Sequence, residues 1–106
     1  LGIEHHVGYV ASTDSFYCGQ ARRGLGGYWH SWMEAIIPDL QRAKVLGFEM
    51  ESSLLFVLSA LYGLRAGSVL AVFANRATGE VSASGESDCI RVASEAVKIL
   101  SELKKT

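Results

Sequence analysis

The sequence predicts an α/β fold, because segments typical of buried strands alternate along its 106 residues with segments of helical periodicity. Residues 68–75 form a continuous apolar run of the kind found in a central strand that is covered on both faces. Residues 52–62 carry apolar side chains on most sides of a helix, and residues 88–100 carry them in one stripe. In such folds ligands bind at the carboxyl ends of the strands, so we expect a site there.

The first half of the chain is predicted to contain a strand, a long loop and an interrupted helix. Residues 6–12 are rich in Val and Tyr and run into a polar cluster, which suits a buried strand that ends in a loop. Residues 15–27 contain four glycines and no sustained periodicity, which indicates an irregular loop of the kind that binds ligands. Residues 31–46 have near-helical spacing that Pro38 interrupts, so we expect two short helical pieces.

The second half is predicted to begin with a strand and a helix. Residues 48–51 suit a short strand or strand end. The helix over residues 52–62 should be buried on most sides and should end at Gly63, in the left-handed conformation that closes many helices. After the strand at residues 68–75, we expect a polar loop over residues 76–87.

A final helix completes the predicted pattern. Ser87 or Asp88 is its predicted N-cap, because short polar side chains accept hydrogen bonds from the first turn. Lys104 and Lys105 lie near its carboxyl end, where the helix dipole favours positive charge. Its apolar stripe consists of Ile90, Val92, Ala93, Val97 and Leu100.

Composition narrows the class of protein. With 49% hydrophobic and 20% charged residues, the chain has the make-up of a globular domain. Ten Lys and Arg against eleven Asp and Glu give a net charge of -1, so we expect no nucleic-acid partner. No apolar stretch approaches the roughly 20 residues that span a membrane, so we expect no membrane partner either.

Two further features concern the cellular compartment of the protein and whether the sequence is part of a longer chain. Cys18 and Cys89 lack the spacing of a redox or metal motif, which indicates free thiols in a reducing, cytoplasmic compartment. The chain begins with Leu1 rather than Met, inside a strand-like segment, so we expect it to be a piece of a longer protein. A chain of this size buries roughly two-thirds of its unfolded surface, so its stability is expected to depend on partners.

Carboxylates follow one of the predicted strands. An ionised carboxylate seldom lies beside a buried strand unless it is paired or hydrogen-bonded, because it loses hydration there. If the segment is extended, Glu49 and Glu51 point the same way and offer two acceptors for the vicinal diol of a ribose. A pair of buried salt bridges with arginines explains the same pattern equally well.

The loop over residues 15–27 offers groups that match an oxo-pyrimidine ring. Gln20 supplies an acceptor and a donor, and Arg22 supplies donors in a planar fork. Phe16 is placed to pack on the face of the ring. The alternative is that Gln20 and Arg22 are solvated loop residues. Arg76, which follows a predicted strand, either aims a further cation at the base or pairs with a glutamate.

Other candidate sites are weaker. His5 and His6 are adjacent, and adjacent side chains on a strand face opposite ways, so we expect no shared metal there. The glycines at 24, 26 and 27 do not fit a dinucleotide fingerprint, because no strand runs directly into them. The sequence therefore predicts neither a metal site nor a dinucleotide cofactor.

Four segments carry a resemblance to a known family. They are ASTDSFYCGQ, GFEMESS, YGLRAGSVLAVFANR and ASEAVKIL. Their order and approximate spacing are similar to those in the carboxy-terminal portion of uridine phosphorylases, which belong to the nucleoside phosphorylase superfamily. Each motif alone is weak, but EMES with a downstream NR and an upstream FY-x-GQ-x-R is a specific combination. The resemblance extends over nearly the whole chain.

The resemblance implies a fold, a reaction and partners. The fold is a three-layer α/β/α arrangement with a mixed central sheet, of which residues 1–106 are the carboxy-terminal portion of a single domain. The reaction is the reversible conversion of uridine and phosphate to uracil and ribose 1-phosphate, with phosphate as co-substrate and no other cofactor. The implied partners are the upstream portion, which binds phosphate, and further copies of the protein in a ring-like hexamer of dimers.

The resemblance also implies roles for individual residues. Phe16 would stack on the base, Gln20 and Arg22 would hold its polar edge, and Arg76 would assist as negative charge builds on departing uracil. Phe48 and Met50 would line the base and ribose pocket, and Glu51 would hydrogen-bond ribose hydroxyls. The predicted catalytic residues are Arg76 and Glu51, and the predicted substrate-binding residues are Phe16, Gln20, Arg22, Phe48, Glu49, Met50, Glu51 and Arg76.

Two departures and two alternatives accompany the resemblance. The family commonly has proline where Cys18 stands and often has tyrosine where Phe48 stands. Purine nucleoside phosphorylases and nucleosidases of the same superfamily place a proton-donating aspartate where this chain has Asn75, and the Asn75 amide cannot supply that proton. A non-catalytic fragment that binds a nucleoside or only assembles with another chain is the remaining alternative.

Overall fold

The computed structural model describes residues 1–82 and 84–103, which divide into two compact units. The first, called the strand unit here, comprises His6–Ala66. The second, called the helix unit, comprises Leu1–His5 and the described residues from Gly67 onward. No helix among the described residues is long and apolar enough to cross a membrane.

The strand unit is built around two parallel strands joined by a helix. Strand β1 (Val10–Ser12) pairs with strand β2 (Gly47–Glu49) in parallel register, so that Ser12 lies opposite Glu49. The backbone N–H of Thr13 donates to the Glu49 carbonyl at 2.9 Å, which extends the ladder by one bond. The predicted α/β class is confirmed by this parallel pair, although β1 is shorter than the predicted strand at residues 6–12.

Helix α1 (Met33–Arg42) crosses between the two strands without a break. The prediction of two short pieces around Pro38 is therefore wrong. Pro38 lies in the second turn, where it removes only the hydrogen bond that its own N–H would have made, and α1 packs against the short 3-10 turn Cys18–Gln20. Met33, the first residue of α1, is the only fully buried large side chain among the described residues, so its packing anchors the start of the helix.

Helix α2 (Ser52–Leu61) follows β2 and agrees with the predicted span. It ends as predicted at Gly63, whose φ is 67°. The N–H groups of Gly63 and Leu64 donate to the carbonyls of Ala60 and Ser59, at 3.2 and 2.8 Å, in a Schellman motif. The prediction that α2 is buried on most sides is wrong for the described residues, because no second layer covers its exposed apolar side chains Leu54, Leu55, Phe56, Val57, Leu58 and Leu61.

Helix α1 ends in the same motif without a glycine. Lys44 occupies the left-handed position with φ of 62°, and its N–H donates to the Gln41 carbonyl at 3.1 Å. The N–H of Val45 donates to the Leu40 carbonyl at 3.0 Å. A residue with a side chain thus holds a conformation that favours glycine, which costs conformational energy.

The helix unit contains helix α3 (Glu86–Leu103) and a tight turn. Residues 68–75 do not form the predicted strand; the described part of this unit has only one bridge, between Ala74 and Val81. A strand requires a hydrogen-bonding neighbour along its length, and among the described residues this segment has a ladder only at its end, where Asn75 N–H donates to the Glu80 carbonyl and Ser82 N–H donates to the Phe73 carbonyl. The predicted cap at Ser87 or Asp88 is also wrong, because α3 begins earlier, at Glu86. Lys104 and Lys105 lie outside the described residues.

Candidate functional site

The carboxyl ends of β1 and β2 border an open cleft of about 520 Å³. This is the position in which the sequence places a site, since ligands of parallel sheets bind beyond the carboxyl ends of strands. The lining comes from the ends of both strands, from the loop after β1 and from the starts of α1 and α2. The cleft is lined by Ser12, Thr13, Asp14, Gly19, Trp32, Met50 and Ser53.

The loop after β1 gathers the three residues predicted to hold a base. The guanidinium carbon of Arg22 lies 3.9 Å from the centroid of the Phe16 ring. Arg22 Nη1 donates to the Phe16 carbonyl at 3.0 Å and to Gln20 Oε1 at 2.9 Å. Gln20 is only 6% exposed, so the interpretation of Gln20 and Arg22 as solvated loop residues does not hold for Gln20.

Thr13 connects this cluster to the cleft. Gln20 Nε2 donates to Thr13 Oγ1 at 3.0 Å, and the Thr13 hydroxyl donates to the Ser15 carbonyl at 3.1 Å. The loop is folded back on itself by the 3-10 turn Cys18–Gln20 and by a hydrogen bond from the Arg22 N–H to the Tyr17 carbonyl at 2.7 Å. The side chains that could meet a planar ring are therefore held by local contacts before any ligand binds.

The carboxylate of Glu49 caps the start of helix α2. One oxygen accepts from the Ser12 hydroxyl, and the other accepts from the N–H groups of Glu51 at 2.8 Å and Ser52 at 2.6 Å. Burial alone raises the pKa of this carboxyl, but these hydrogen bonds outweigh it and lower the pKa from 4.5 to about 2. The positive end of the helix dipole adds to the preference for the ionised form. Glu49 is therefore an anion held by donors and not by an arginine.

The other predicted residues of the ribose side lie on either side of this cap. Phe48 is half-buried in β2, opposite Ala11, and Met50 lines the cleft. Glu51 is exposed at the N-cap of α2, and no arginine pairs with it among the described residues. The extended segment ends at Glu49, so the condition under which both glutamates point the same way is not met. The alternative of two buried salt bridges is likewise not found in the part of the chain that the structure describes.

Arg76 belongs to the helix unit, whereas every other predicted site residue belongs to the strand unit. It follows Asn75, whose side-chain oxygen accepts from the N–H groups of Ala77 at 2.9 Å and Thr78 at 3.1 Å. The Gly79 N–H donates to the Asn75 carbonyl at 2.7 Å, which closes the turn. The amide of Asn75 thus shapes the turn that carries Arg76.

Among the cleft residues that the sequence did not predict are Ser12 and Thr13, whose hydroxyls bond to Glu49 and Gln20. They were treated only as part of a polar cluster after a strand. The available signal was a pair of consecutive hydroxyls at the carboxyl end of a strand, directly before the loop that carries Phe16. Within the described ranges no three His, Cys, Asp or Glu side chains gather as a metal site would require.

Comparison with known proteins identifies the family. The model of the Phosphorylase superfamily matches residues 1–105. The chain belongs to this superfamily. The resemblance carried by the four sequence motifs is thereby confirmed, and the loop, cleft and helix cap described above are features of a phosphorylase superfamily member.

Relatives within the superfamily are mostly uridine phosphorylases. The uridine phosphorylase of Thermococcus kodakarensis is 55% identical over 102 residues, covering 96% of this chain and 37% of that protein. The uridine phosphorylase of Escherichia coli is 34% identical over 106 residues, covering 94% of this chain and 42% of that protein. A DeoD-type purine nucleoside phosphorylase of Caldanaerobacter subterraneus is 33% identical over 86 residues, covering 81% and 32%.

The chain therefore spans about two fifths or less of the length of these phosphorylase relatives. A search of the solved structures returned no significant match.

Proposed function

We propose that this chain supplies the base and ribose pocket of a uridine phosphorylase, a pentosyltransferase that converts uridine and phosphate to uracil and ribose 1-phosphate. The observation that carries the proposal is the cluster of Phe16, Gln20 and Arg22, which is joined through Thr13 to the cleft at the strand ends. The motif resemblance and the names of the similar proteins support the choice of substrate.

The base half of the proposed pocket is chemically suited to uracil. The two carbonyl oxygens and the ring N–H of uracil need donors and an acceptor on one edge, and Arg22 and Gln20 together carry both kinds of group. The guanidinium is planar and presents its donors in a rigid fork that matches a carbonyl edge. Phe16 offers an aromatic face for stacking.

The ribose half is proposed to lie at the junction of β2 and α2. Met50 lines the cleft and is proposed to supply apolar contact, and Phe48 lies two residues earlier in β2. Glu51 is exposed at the helix start and carries an acceptor for ribose hydroxyls. Glu49 stands beside it with its carboxylate already bonded to the protein.

The proposed reaction is a direct displacement at the anomeric carbon. A phosphate oxygen forms a bond to C1′ as the bond between C1′ and N1 of uracil breaks, and the electron pair of that bond leaves with the base. Positive character develops on the ribose and negative charge on the base, so donors from Gln20 and Arg22 stabilise the leaving group. A supporting role for Arg76 is proposed from the resemblance alone. Glu51 holds the sugar in its reactive pose. No covalent enzyme intermediate and no cofactor other than the co-substrate phosphate is required.

The remaining features belong to the complete protein. Residues 1–106 would form the carboxy-terminal portion of a single three-layer α/β/α domain with a mixed central sheet. An upstream portion would bind phosphate, and copies would assemble in a ring-like hexamer in the cytoplasm. The exposed apolar side chains around α2 support this proposal, because apolar surface of that extent in an isolated unit marks a contact.

A purine nucleoside phosphorylase is the second candidate, because a purine-specific protein is also among the relatives. Asn75 argues against it. Its side-chain oxygen is bonded to two backbone N–H groups, and its amide cannot donate a proton to a purine ring nitrogen at the moment of cleavage.

The deciding experiment is an assay of the complete protein for phosphate-dependent release of uracil from uridine, with inosine in parallel. We expect uridine to be cleaved in preference to inosine and only when phosphate is present. Preference for inosine would overturn the pyrimidine assignment, and cleavage without phosphate would indicate a nucleosidase. The 106-residue chain assayed alone is expected to release no uracil.

A further inference from the structure

We propose that Ser12 and Thr13 are the two positioning residues of the pocket, with Ser12 orienting the ribose side and Thr13 orienting the base side. The inference rests on the proposed function, which assigns one side of the pocket to the base and the other to the ribose. It stands on two separate sets of hydrogen bonds, which begin from consecutive hydroxyls at the carboxyl end of β1.

Ser12 holds the start of α2 through two contacts. Its hydroxyl donates to the Glu49 carboxylate, and its oxygen accepts from the Ser53 N–H at 3.0 Å. The other oxygen of Glu49 accepts from the N–H groups of Glu51 and Ser52. Ser52 is only 5% exposed, so little water is available to replace the bond from its N–H to Glu49. The turn that carries Met50 and Glu51 is therefore fixed by one hydroxyl acting through one carboxylate.

Thr13 fixes which way the Gln20 amide faces. A hydroxyl has a single proton, and Thr13 donates it to the Ser15 carbonyl, so toward Gln20 its oxygen acts as an acceptor. The amide nitrogen of Gln20 must then face Thr13, and the amide oxygen faces Arg22 Nη1 at 2.9 Å. A flipped amide would set oxygen against oxygen on one side and two donors together on the other. Thr13 thereby sets the donor and acceptor pattern presented to a base.

Adjacent positions on an extended chain explain how one dipeptide serves both sides. Consecutive side chains of a strand point in opposite directions, and the Thr13 N–H bond to the Glu49 carbonyl keeps the chain extended through this point. The hydroxyls of Ser12 and Thr13 consequently reach different elements, α2 in one case and the loop after β1 in the other.

Two matched pairs of variants in the complete protein test the proposal. Ser12→Ala and Thr13→Val remove a hydroxyl with little change of shape, whereas Ser12→Thr and Thr13→Ser keep it. The probes are uracil alone and ribose 1-phosphate alone, each measured by equilibrium binding. We expect Thr13→Val to weaken uracil binding about tenfold and to leave ribose 1-phosphate binding nearly unchanged, as for one lost hydrogen bond to a pocket residue. Ser12→Ala should do the reverse, and the hydroxyl-keeping variants should retain most of the affinity.

Equal loss of both ligands in both hydroxyl-deleting variants would overturn the proposal, because it would indicate a general loss of stability. Unchanged binding would overturn it as well. Hydrogen exchange of the Ser53 amide gives a readout that needs no ligand: Ser12→Ala should speed it and Thr13→Val should not. If the unmodified protein binds neither probe while Ser53 exchange responds as expected, the proposed function fails and the positioning by Ser12 stands.

Discussion

Arg22 contacts Phe16 at two points, since its guanidinium lies over the ring at 3.9 Å and its Nη1 donates to the Phe16 carbonyl at 3.0 Å. The same nitrogen donates to Gln20 Oε1. A cation stacked on an aromatic face and anchored at one nitrogen has its plane fixed, so its remaining edge keeps a defined direction. The arginine is therefore suited to direct donors at a ligand without a large loss of side-chain entropy on binding.

Replacement of Arg22 should impair catalysis strongly. We expect Arg22→Ala in the complete protein to lower kcat/KM for uridine by roughly 10²-fold. A loss of this size is typical when one hydrogen-bond donor to the negative charge of the transition state is removed. Arg22→Lys should recover little of this loss, because an ammonium group has no planar fork. Steady-state kinetics of uracil release check both values.

The control for this prediction is His5→Ala. His5 is exposed, and its ring forms a hydrogen bond with the Ile3 carbonyl at 2.9 Å. Its replacement should leave kcat/KM nearly unchanged. Equal kcat/KM in Arg22→Ala and His5→Ala would remove Arg22 from the site.

Stability should depend on pH through Glu49. Its folded pKa, about 2, is below the ordinary value of 4.5, so its contribution to the free energy of unfolding is fully present above pH 4.5 and is lost as the pH falls toward 2. Glu49→Gln keeps an acceptor but does not titrate. Urea unfolding of the complete protein and of this variant should show a stability difference that shrinks on acidification. A difference that stays constant across this range would contradict the assignment.

In the two Schellman motifs, adding a glycine at the end of α1 and removing one at the end of α2 should change the free energy of unfolding in opposite directions. Lys44→Gly should raise the free energy of unfolding by about 1 kcal/mol, because glycine adopts positive φ without steric cost. Gly63→Ala should lower it by a similar amount, and because no atom lies within 4 Å of the added Cβ the loss would be purely conformational. The midpoints of urea unfolding measure the change in stability of each variant. A loss of stability in Lys44→Gly would contradict the interpretation that Lys44 holds a strained left-handed conformation at the end of α1.

Two substitutions of Asn75 should distinguish its effect on the stability of the turn from its effect on the preference for uridine over inosine. Asn75→Asp keeps an oxygen that accepts from the Ala77 and Thr78 N–H groups, so the melting temperature should change little. The superfamily resemblance sets position 75 at the base, so the carboxylate of Asn75→Asp should repel the charge that develops on uracil; uridine turnover should then fall and the ratio of inosine to uridine turnover should rise. Asn75→Ala, the control, should lose about 1 kcal/mol of stability without that rise. An unchanged ratio in Asn75→Asp would place Asn75 away from the base.

The sequence predicts well those features that depend on short stretches of chain. Helix α2 and its end at Gly63 follow from periodicity and from one glycine. The cluster of Phe16, Gln20 and Arg22 lies within seven consecutive residues, so its members meet through local turns. Such contacts involve few alternatives, which is why residue type and spacing suffice to predict them.

Features that depend on distant neighbours were not predictable. Residues 68–75 have the composition of a central strand, but composition does not supply the neighbouring backbone that a ladder needs. Helix α1 continues through Pro38, and the buried side chain of Met33 packs at its start. This packing cannot be inferred from the proline in the sequence. The contact of Ser12 with Glu49 joins positions 37 residues apart and follows only from the strand register.

That register also determines where the protein can be engineered. One residue added within β2 would reverse the facing of every later side chain in the strand and would remove Glu49 from Ser12. The connection between the strands passes through Gly26 and Gly27, which are exposed and have open space around them. A short epitope or a fluorophore attachment sequence inserted between these two glycines would lengthen the connection and leave the alignment of the two strands intact.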